Sequence, residues 1–364
     1  MLRRPRPPVA GQALLLAKTA GRNRAISWDE SVTTSMRMRR LRIEDIKRYI
    51  RFGSGGGDAA GCCCRPRSDL EWLAMDEDDE RSVRGIQLND ELPRLRLPAP
   101  ERFRWPNRAL RWYFSPEYLH LDRVDAKRPT LFVGNHSVFG VLDVLLFADA
   151  LYRKRGISLR MLADRNHFKI PVWRNFVVQT GAVLGSRANC AALMRRGEHV
   201  LVFPGGAREV FKHKGEAYRL IWKERFGFVK LAVEHGYTIT PYATVGAEEA
   251  FDVLLDSGDY MNTPLGRVLK STGIVDTYLR GGEEFPPLVR GLGLTMIPRP
   301  EKLYFSLGTP IATSRYRGRF GDPVVLKRVR DRVGQSLQQL IAELREYRAQ
   351  DTGQGTLRRV LNRL

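Results

Sequence analysis

TLFVGNHSVFGVLDVLLFADALYRKRG, residues 130–156, joins a short apolar run to a longer periodic one through a polar loop. TLFV is too short for a helix and rich in residues that suit a pleated, buried surface, so it reads as a strand ending near Gly134. VLDVLLFADALYRKR has apolar residues three and four apart, basic residues in its last turn and a glycine after it, which predicts a helix stopped by Gly156. The same alternation continues outward. ISLRMLAD (157–164), HVLVFPGG (199–206), YTITPYATVG (237–246) and EKLYFSLGTPIA (301–312) read as strands, and GFVKLAVEHG (227–236) as a helix ending at Gly236. Strands alternating with helices at this spacing predict an α/β fold with a mostly parallel central sheet flanked by helices. A last helix opens at Asp322-Pro323 and repeats Val329, Val333, Leu337, Leu340 and Leu344 as one apolar stripe.

The chain has 364 residues, with 61 Lys+Arg against 40 Asp+Glu, a net charge of +21. Such an excess implies an anionic partner and does not by itself choose among nucleic acid, phospholipid or a phosphate-bearing substrate. Nucleic acid is not expected, because no recognised binding motif or basic strand interleaved with aromatics occurs. Cys62, Cys63 and Cys64 are contiguous and Cys190 stands alone, which suits neither a zinc site nor a disulfide framework, so a reducing compartment is expected. No metal is expected. No run approaches the roughly 18 uncharged apolar residues that a membrane span needs, and the LLLA at Leu14 is too short for a signal-peptide core.

Residues 1–100 differ from the rest. A basic stretch, the linker-like GSGGGDAAG (53–61) and the acidic DEDDE (76–80) predict a poorly ordered N-terminal extension without assigned function, and the internal Met36, Met38 and Met75 are consistent with an over-extended reading frame over part of it. Residues 101–348 are expected to form the functional domain, and 349–364 a C-terminal tail.

Chemistry is expected at strand ends. His136 lies in the loop after the first strand, between Asn135 and Ser137, with Asp143 seven residues on; a histidine oriented by a carboxylate is a general base near neutral pH. Seven residues of continuous helix would carry Asp143 about 10.5 Å along the axis, so the two can meet only across a loop, which Gly140 permits. A helix-capping histidine is the alternative. TGAVLGSR (180–187) ends in Arg187, a side chain suited to phosphate or carboxylate. VFPGGAREVF (202–211) combines Gly205 and Gly206, which admit close approach to the backbone, with the charged pair Arg208 and Glu209. No P-loop, dinucleotide fingerprint or G-x-S-x-G elbow occurs, which disfavours nucleotide-binding and serine-hydrolase readings.

In order, NHSVFGVLD, GAVLGSR, FPGGAR and ITPYATVG resemble the four blocks of the glycerolipid, or lysophospholipid, acyltransferase family: N-H-x-x-x-x-D, G-x-x-x-x-x-R, F-P-E-G-x-R and a hydrophobic segment with a proline. PGGARE, the following KGEAYRLIW and the late LYFSLGTPI look like the branch of plant phytyl ester synthases and related diacylglycerol acyltransferases, over roughly residues 105–345. Two departures stand out. The family aspartate falls at Val141, so Asp143 is displaced, and the glutamate of F-P-E-G is Gly205. The second change implies a neutral alcohol acceptor rather than a phosphorylated one.

The resemblance implies direct transfer of a fatty acyl group from acyl-CoA or acyl carrier protein, a co-substrate, to a lipid hydroxyl, with no bound cofactor. His136 would be the base and Asp143 its orienting carboxylate. Amides near Gly205 and Gly206 would stabilise the oxyanion, and Asn135, Ser137, Arg187, Arg208 and Glu209 would contact substrate. A cytoplasmic enzyme lying on an anionic membrane surface is expected, held in part by Lys327, Arg328, Arg330 and Arg332. Lysophosphatidate-type acylation and a non-catalytic lipid-binding homologue are the alternatives.

Overall fold

The computed structural model describes residues 104–353 and 356–362, apart from 141, 170 and 272–284, together with two short strands nearer the N-terminus. The chain divides into two units, residues 1–75 and 76–364. In the first, β1 (Ala25–Ser27) pairs antiparallel with β2 (Arg39–Leu41). These six residues belong to the segment for which the sequence predicts little order; the rest of residues 1–100, including Cys62, Cys63 and Cys64, lies outside the described residues.

The second unit is built on a seven-stranded sheet. Its members are β3 (Glu117–Leu119), β4 (Thr130–Gly134), β5 (Leu159–Ala163), β6 (Ala182–Leu184), β7 (His199–Val202), β8 (Thr238–Val245) and β11 (Tyr304–Leu307), in the order β3-β11-β8-β4-β7-β5-β6. Five neighbours from β8 to β6 are parallel. β11 runs antiparallel to β8 and parallel to β3, so the mostly parallel sheet expected from the sequence is present with one reversal. A separate antiparallel pair, β9 (Asp252–Leu255) with β10 (Leu288–Arg290), follows β8.

Both faces of the sheet are covered, which is why β4 is buried along its whole length. Alternate side chains divide between two cores. Leu131 and Val133 join the cluster that contains the stripe of the last helix, whereas Phe132 joins the cluster that contains Leu146, Phe147 and Leu151. Among the described residues the helices are, in chain order, α1 (Arg104–Phe114), α2 (Leu142–Arg155), α3 (Asn166–Lys169), α4 (Pro171–Gln179), α5 (Arg187–Arg195), α6 (Ala207–Val210), α7 (Gly227–His235), α8 (Ser257–Asn262), α9 (Pro264–Ser271), α10 (Pro323–Gln350) and α11 (Thr356–Leu361). Gly156 and Gly236 take left-handed conformations, φ 67° and 69°, where the sequence places the ends of α2 and α7.

α10 begins as its first residues predict. The Asp322 carboxylate accepts from the Val324 and Val325 amides, and Pro323 occupies the first turn. The helix runs two residues past the expected domain end at 348, and in the tail Arg358 donates to the Tyr113 carbonyl and Ser115 Oγ. The basic face expected at its start is partly taken up by partners within the chain. Lys327 pairs with Asp331 at 2.5 Å, and Arg330 lies over the rings of Trp222 and Phe226 while donating to the Lys223 carbonyl. Among the described residues no helix is long and apolar enough to cross a membrane.

One consequence of the topology positions the site. Parallel neighbours end at the same edge of the sheet, so β8, β4, β7, β5 and β6 all deliver their following loops there.

Candidate active site

The loop after β4 is central, with the loop after β8 on one side and that after β7 on the other. Asn135 continues the ladder by means of its side chain: Nδ2 donates to the Thr244 carbonyl and Oδ1 accepts from the Thr244 amide, both at 3.0 Å. It is fully buried. The residues from Ser137 to Gly140 form a turn closed by the Gly140 amide on the Ser137 carbonyl at 3.1 Å. Phe139 sits in that turn at φ 55°, a left-handed conformation that costs an ordinary side chain about 1–2 kcal/mol. Its ring packs edge-on against Phe251, with centroids 5.6 Å apart.

The His136 imidazole is stacked on Phe203 at 4.0 Å between centroids and lies against Gly140 on the way into α2. A Cβ at position 140 would stand 2.0 Å from Nδ1. Nδ1 is itself buried and has no hydrogen-bond partner among the described residues. Burial, then the nearby Lys212 ammonium and His167, push the imidazole down to about 3, so the ring is neutral throughout the physiological range. Gly140→Ala is therefore expected to push the ring off its stacked position and lower kcat about tenfold or more with little change in KM, which steady-state kinetics on the folded variant would check.

Asp143 does not orient that ring directly. Its Oδ2 accepts from Ser137 Oγ at 2.8 Å and its Oδ1 from the Val144 amide at 2.9 Å, while burial raises its pKa above the ordinary value. Residues 137–140 are loop ahead of α2, as Gly140 was expected to allow. The serine hydroxyl takes the carboxylate instead. Asn135 and Ser137, expected to contact substrate, are buried and use their polar atoms to brace the loop from within.

After β7 the chain turns through Phe203–Gly206 and enters α6. The Gly206 amide closes that turn on the Phe203 carbonyl at 3.0 Å, so this one of the amides expected to face an oxyanion is engaged within the turn. Gly205 has a different requirement. The Glu209 carboxyl packs on its Cα, and a Cβ at 205 would lie 2.1 Å from Glu209 Cδ. The space of a residue-205 side chain is thus filled by the carboxylate one helical turn later. Glu209 Oε1 accepts from the Ile221 amide at 2.8 Å and Oε2 from the His136 amide at 3.3 Å. Burial pushes its carboxyl up to about 7 against the pull of Lys212.

Arg208 pairs with Glu216 rather than Glu209: one terminal nitrogen is 2.7 Å from each carboxylate oxygen. Lys212 is buried, donates to the His136 carbonyl at 2.7 Å and forms an ion pair with Glu248 from the loop after β8. Arg187 is exposed at the start of α5, after the edge strand β6, and leans over Gly227. β7 and β5 stand between its strand and β4, so the block that contains it shares the same edge without adjoining the histidine loop.

Lys212, Glu248 and His167 are absent from the residues predicted by sequence. His167 Nδ1 accepts from Trp173 Nε1 at 2.8 Å, which leaves the proton of a neutral ring on Nε2. Among the described residues no group of three or more His, Cys, Asp or Glu side chains could hold a metal ion.

Comparison with known proteins places these residues beside a family model, curated relatives and a solved structure. Residues 116–245 match the family model described as Acyltransferase. Phytyl ester synthases 2 and 1, chloroplastic, of Arabidopsis thaliana are 30% and 33% identical, over 66% and 53% of this chain and 36% and 29% of theirs, so the chain spans about a third of their length. The human DGAT1/2-independent enzyme synthesizing storage lipids is 27% identical over 40% of this chain and 44% of its own. The crystal structure of the 1-acyl-sn-glycerophosphate acyltransferase PlsC from Thermotoga maritima aligns with a TM-score of 0.40 and 14% identity, over 75% of this chain and 89% of that one.

Proposed function

The chain carries a domain of the acyltransferase superfamily, and from that premise we propose that it is an O-acyltransferase moving a fatty acyl group from acyl-CoA or acyl carrier protein to the hydroxyl of a neutral lipid. The observation that supports this most is a neutral histidine, held between Phe203 and Gly140 at the edge where the parallel strands end. His136 accepts the proton of the acceptor hydroxyl as its oxygen attacks the thioester carbonyl. The tetrahedral intermediate then expels the thiolate, which takes up a proton and departs as the free thiol, leaving the ester. No covalent acyl-enzyme is needed.

The neutral acceptor is supported by the fate of Arg208. A guanidinium already in contact with both oxygens of Glu216 offers little net positive charge to a phosphate monoester. Relatives named for phytyl esters and storage lipids point the same way. Such acceptors partition into lipid, so the protein works at a membrane surface, with Arg328 and Arg332 of the last helix exposed for anionic headgroups.

The test is to incubate purified protein with labelled acyl-CoA and acyl carrier protein and a panel of monoacylglycerol, diacylglycerol, long-chain alcohols and lysophosphatidate in vesicles, reading products by mass spectrometry. Esters of the neutral alcohols are expected to exceed acylated lysophosphatidate by tenfold or more. Dominant acylation of lysophosphatidate would overturn the acceptor assignment. A protein that binds the vesicles and transfers nothing would overturn the activity.

A further inference from the structure

His136 is gripped by its own main chain from both sides. Its amide donates to Glu209 Oε2 at 3.3 Å, and its carbonyl accepts from Lys212 Nζ at 2.7 Å. Both partners come from the segment after β7, while Glu248, which holds the lysine, comes from the loop after β8. β7 and β8 are the two strands that flank β4 in the sheet, so the histidine loop is spanned by its neighbours on either side. All three charged residues are buried, and none has its charge at the surface.

Buried ionised groups are expensive, and a core of apolar side chains of the same volume would serve stability at least as well. The arrangement therefore needs a purpose beyond holding the fold. Fixing the peptide unit before His136 and the one after it fixes the direction of its Cα–Cβ bond. The ring is then confined by Phe203 and Gly140. Glu209 can do this only because position 205 has no side chain, its carboxyl standing where that side chain would begin.

We propose that Glu209 and Lys212, with Glu248 holding the lysine, are positioning residues that aim His136 through its backbone. This rests on the assignment of His136 as the base. Neither touches the reacting atoms; each acts through the histidine. Glutamine at 209 weakens one side of the grip, since Glu209 accepts from two amides with its two oxygens, whereas the His136 and Ile221 amides must compete for the single acceptor oxygen of an amide side chain. Methionine at 212 keeps the stem and removes the donor.

Glu209→Gln and Lys212→Met are compared with wild type by steady-state kinetics and by the NMR resonance of the His136 ring, assigned with a His136→Ala sample. Because Lys212→Met strands Glu248 as a buried charge, the double variant Lys212→Met/Glu248→Met serves if the single one does not fold. The expected result is kcat lowered about tenfold or more, KM for donor and acceptor within about twofold, and a displaced ring resonance. An unmoved resonance in folded variants overturns the grip, whatever the activity. A moved resonance with unchanged kcat, beside an inactive His136→Ala protein, overturns its relevance to catalysis. Full activity of His136→Ala is the separate result that removes the base assignment itself.

Discussion

Alanine at position 136 is expected to lower kcat/KM for acyl transfer by about a thousandfold, in the middle of the range that a positioned general base contributes. The loss should fall on chemistry rather than on folding. The ring stacks on Phe203 and its Nδ1 has no partner among the described residues, so removing it strands no described donor or acceptor. The main-chain bonds to Glu209 and Lys212 remain available to any residue. A stability loss of about 1–2 kcal/mol is expected, as for a half-buried side chain. The pH profile carries a second mark. With its pKa held down to about 3 by burial, Lys212 and His167, the ring contributes no acid limb near 6.5, the value of an unperturbed histidine. Transfer of a labelled acyl group, measured with denaturant unfolding on the same samples, checks both parts. A folded alanine variant that transfers at the wild-type rate would remove His136 from the mechanism.

Much of this site is legible in the sequence because it is built from local signals. TLFVG, a polar loop and a periodic run stopped by Gly156 place His136 at a strand end before any partner is known, and β7 followed by Pro-Gly-Gly does the same for Glu209. Gly205 stands out in the sequence for the side chain it lacks. Its reason lies four residues on, where one turn of α6 brings the Glu209 carboxyl back over it. That spacing was readable, although nothing local says that the turn would be helical.

The partners of Glu209 and Lys212 could not be read. Lys212 meets His136 across 76 positions and Glu248 across 36, and such pairings depend on β7, β4 and β8 being neighbours, an order that no single segment encodes. Asp143 illustrates the opposite limit. Its nearness to the histidine loop is legible in the spacing, but a serine one residue along competes for the same carboxylate and wins. β3, the β9–β10 pair and α3–α4 were also missed. The strands in question have three or four residues, too few for any period to register.

The stability of the protein is expected to carry the signature of Glu209. Its carboxyl stands at about 7 in the folded chain, raised by burial from an ordinary 4.5, in spite of Lys212 and the His136 and Ile221 amides that favour the ionised form. Between those values the folded state keeps a proton that the unfolded state has released, so stability falls as pH rises from about 4.5 to about 7 and is level on either side. The whole decline from this group is about 3 kcal/mol. The wild-type curve alone does not isolate it. His136, lowered by burial, works in the opposite sense below 6.5, and Glu248, raised by burial beside Lys212, works in the same sense as Glu209. Glu209→Gln removes the titration while keeping the size of the side chain. The difference in unfolding free energy between the variant and wild type should therefore move by about 3 kcal/mol in favour of the variant between pH 4 and pH 8, measured by urea titration at each pH. A difference that stays constant over that range would mean that Glu209 ionises as a surface glutamate does. The same titration has a kinetic side. The ionised carboxylate is the form whose two oxygens are both free to accept from the two amides, so kcat of the wild type should rise through about pH 7 and that rise should vanish in Glu209→Gln. Activity would then increase over the interval in which stability declines, as expected of a buried charge kept for the aim of a catalytic side chain rather than for the fold.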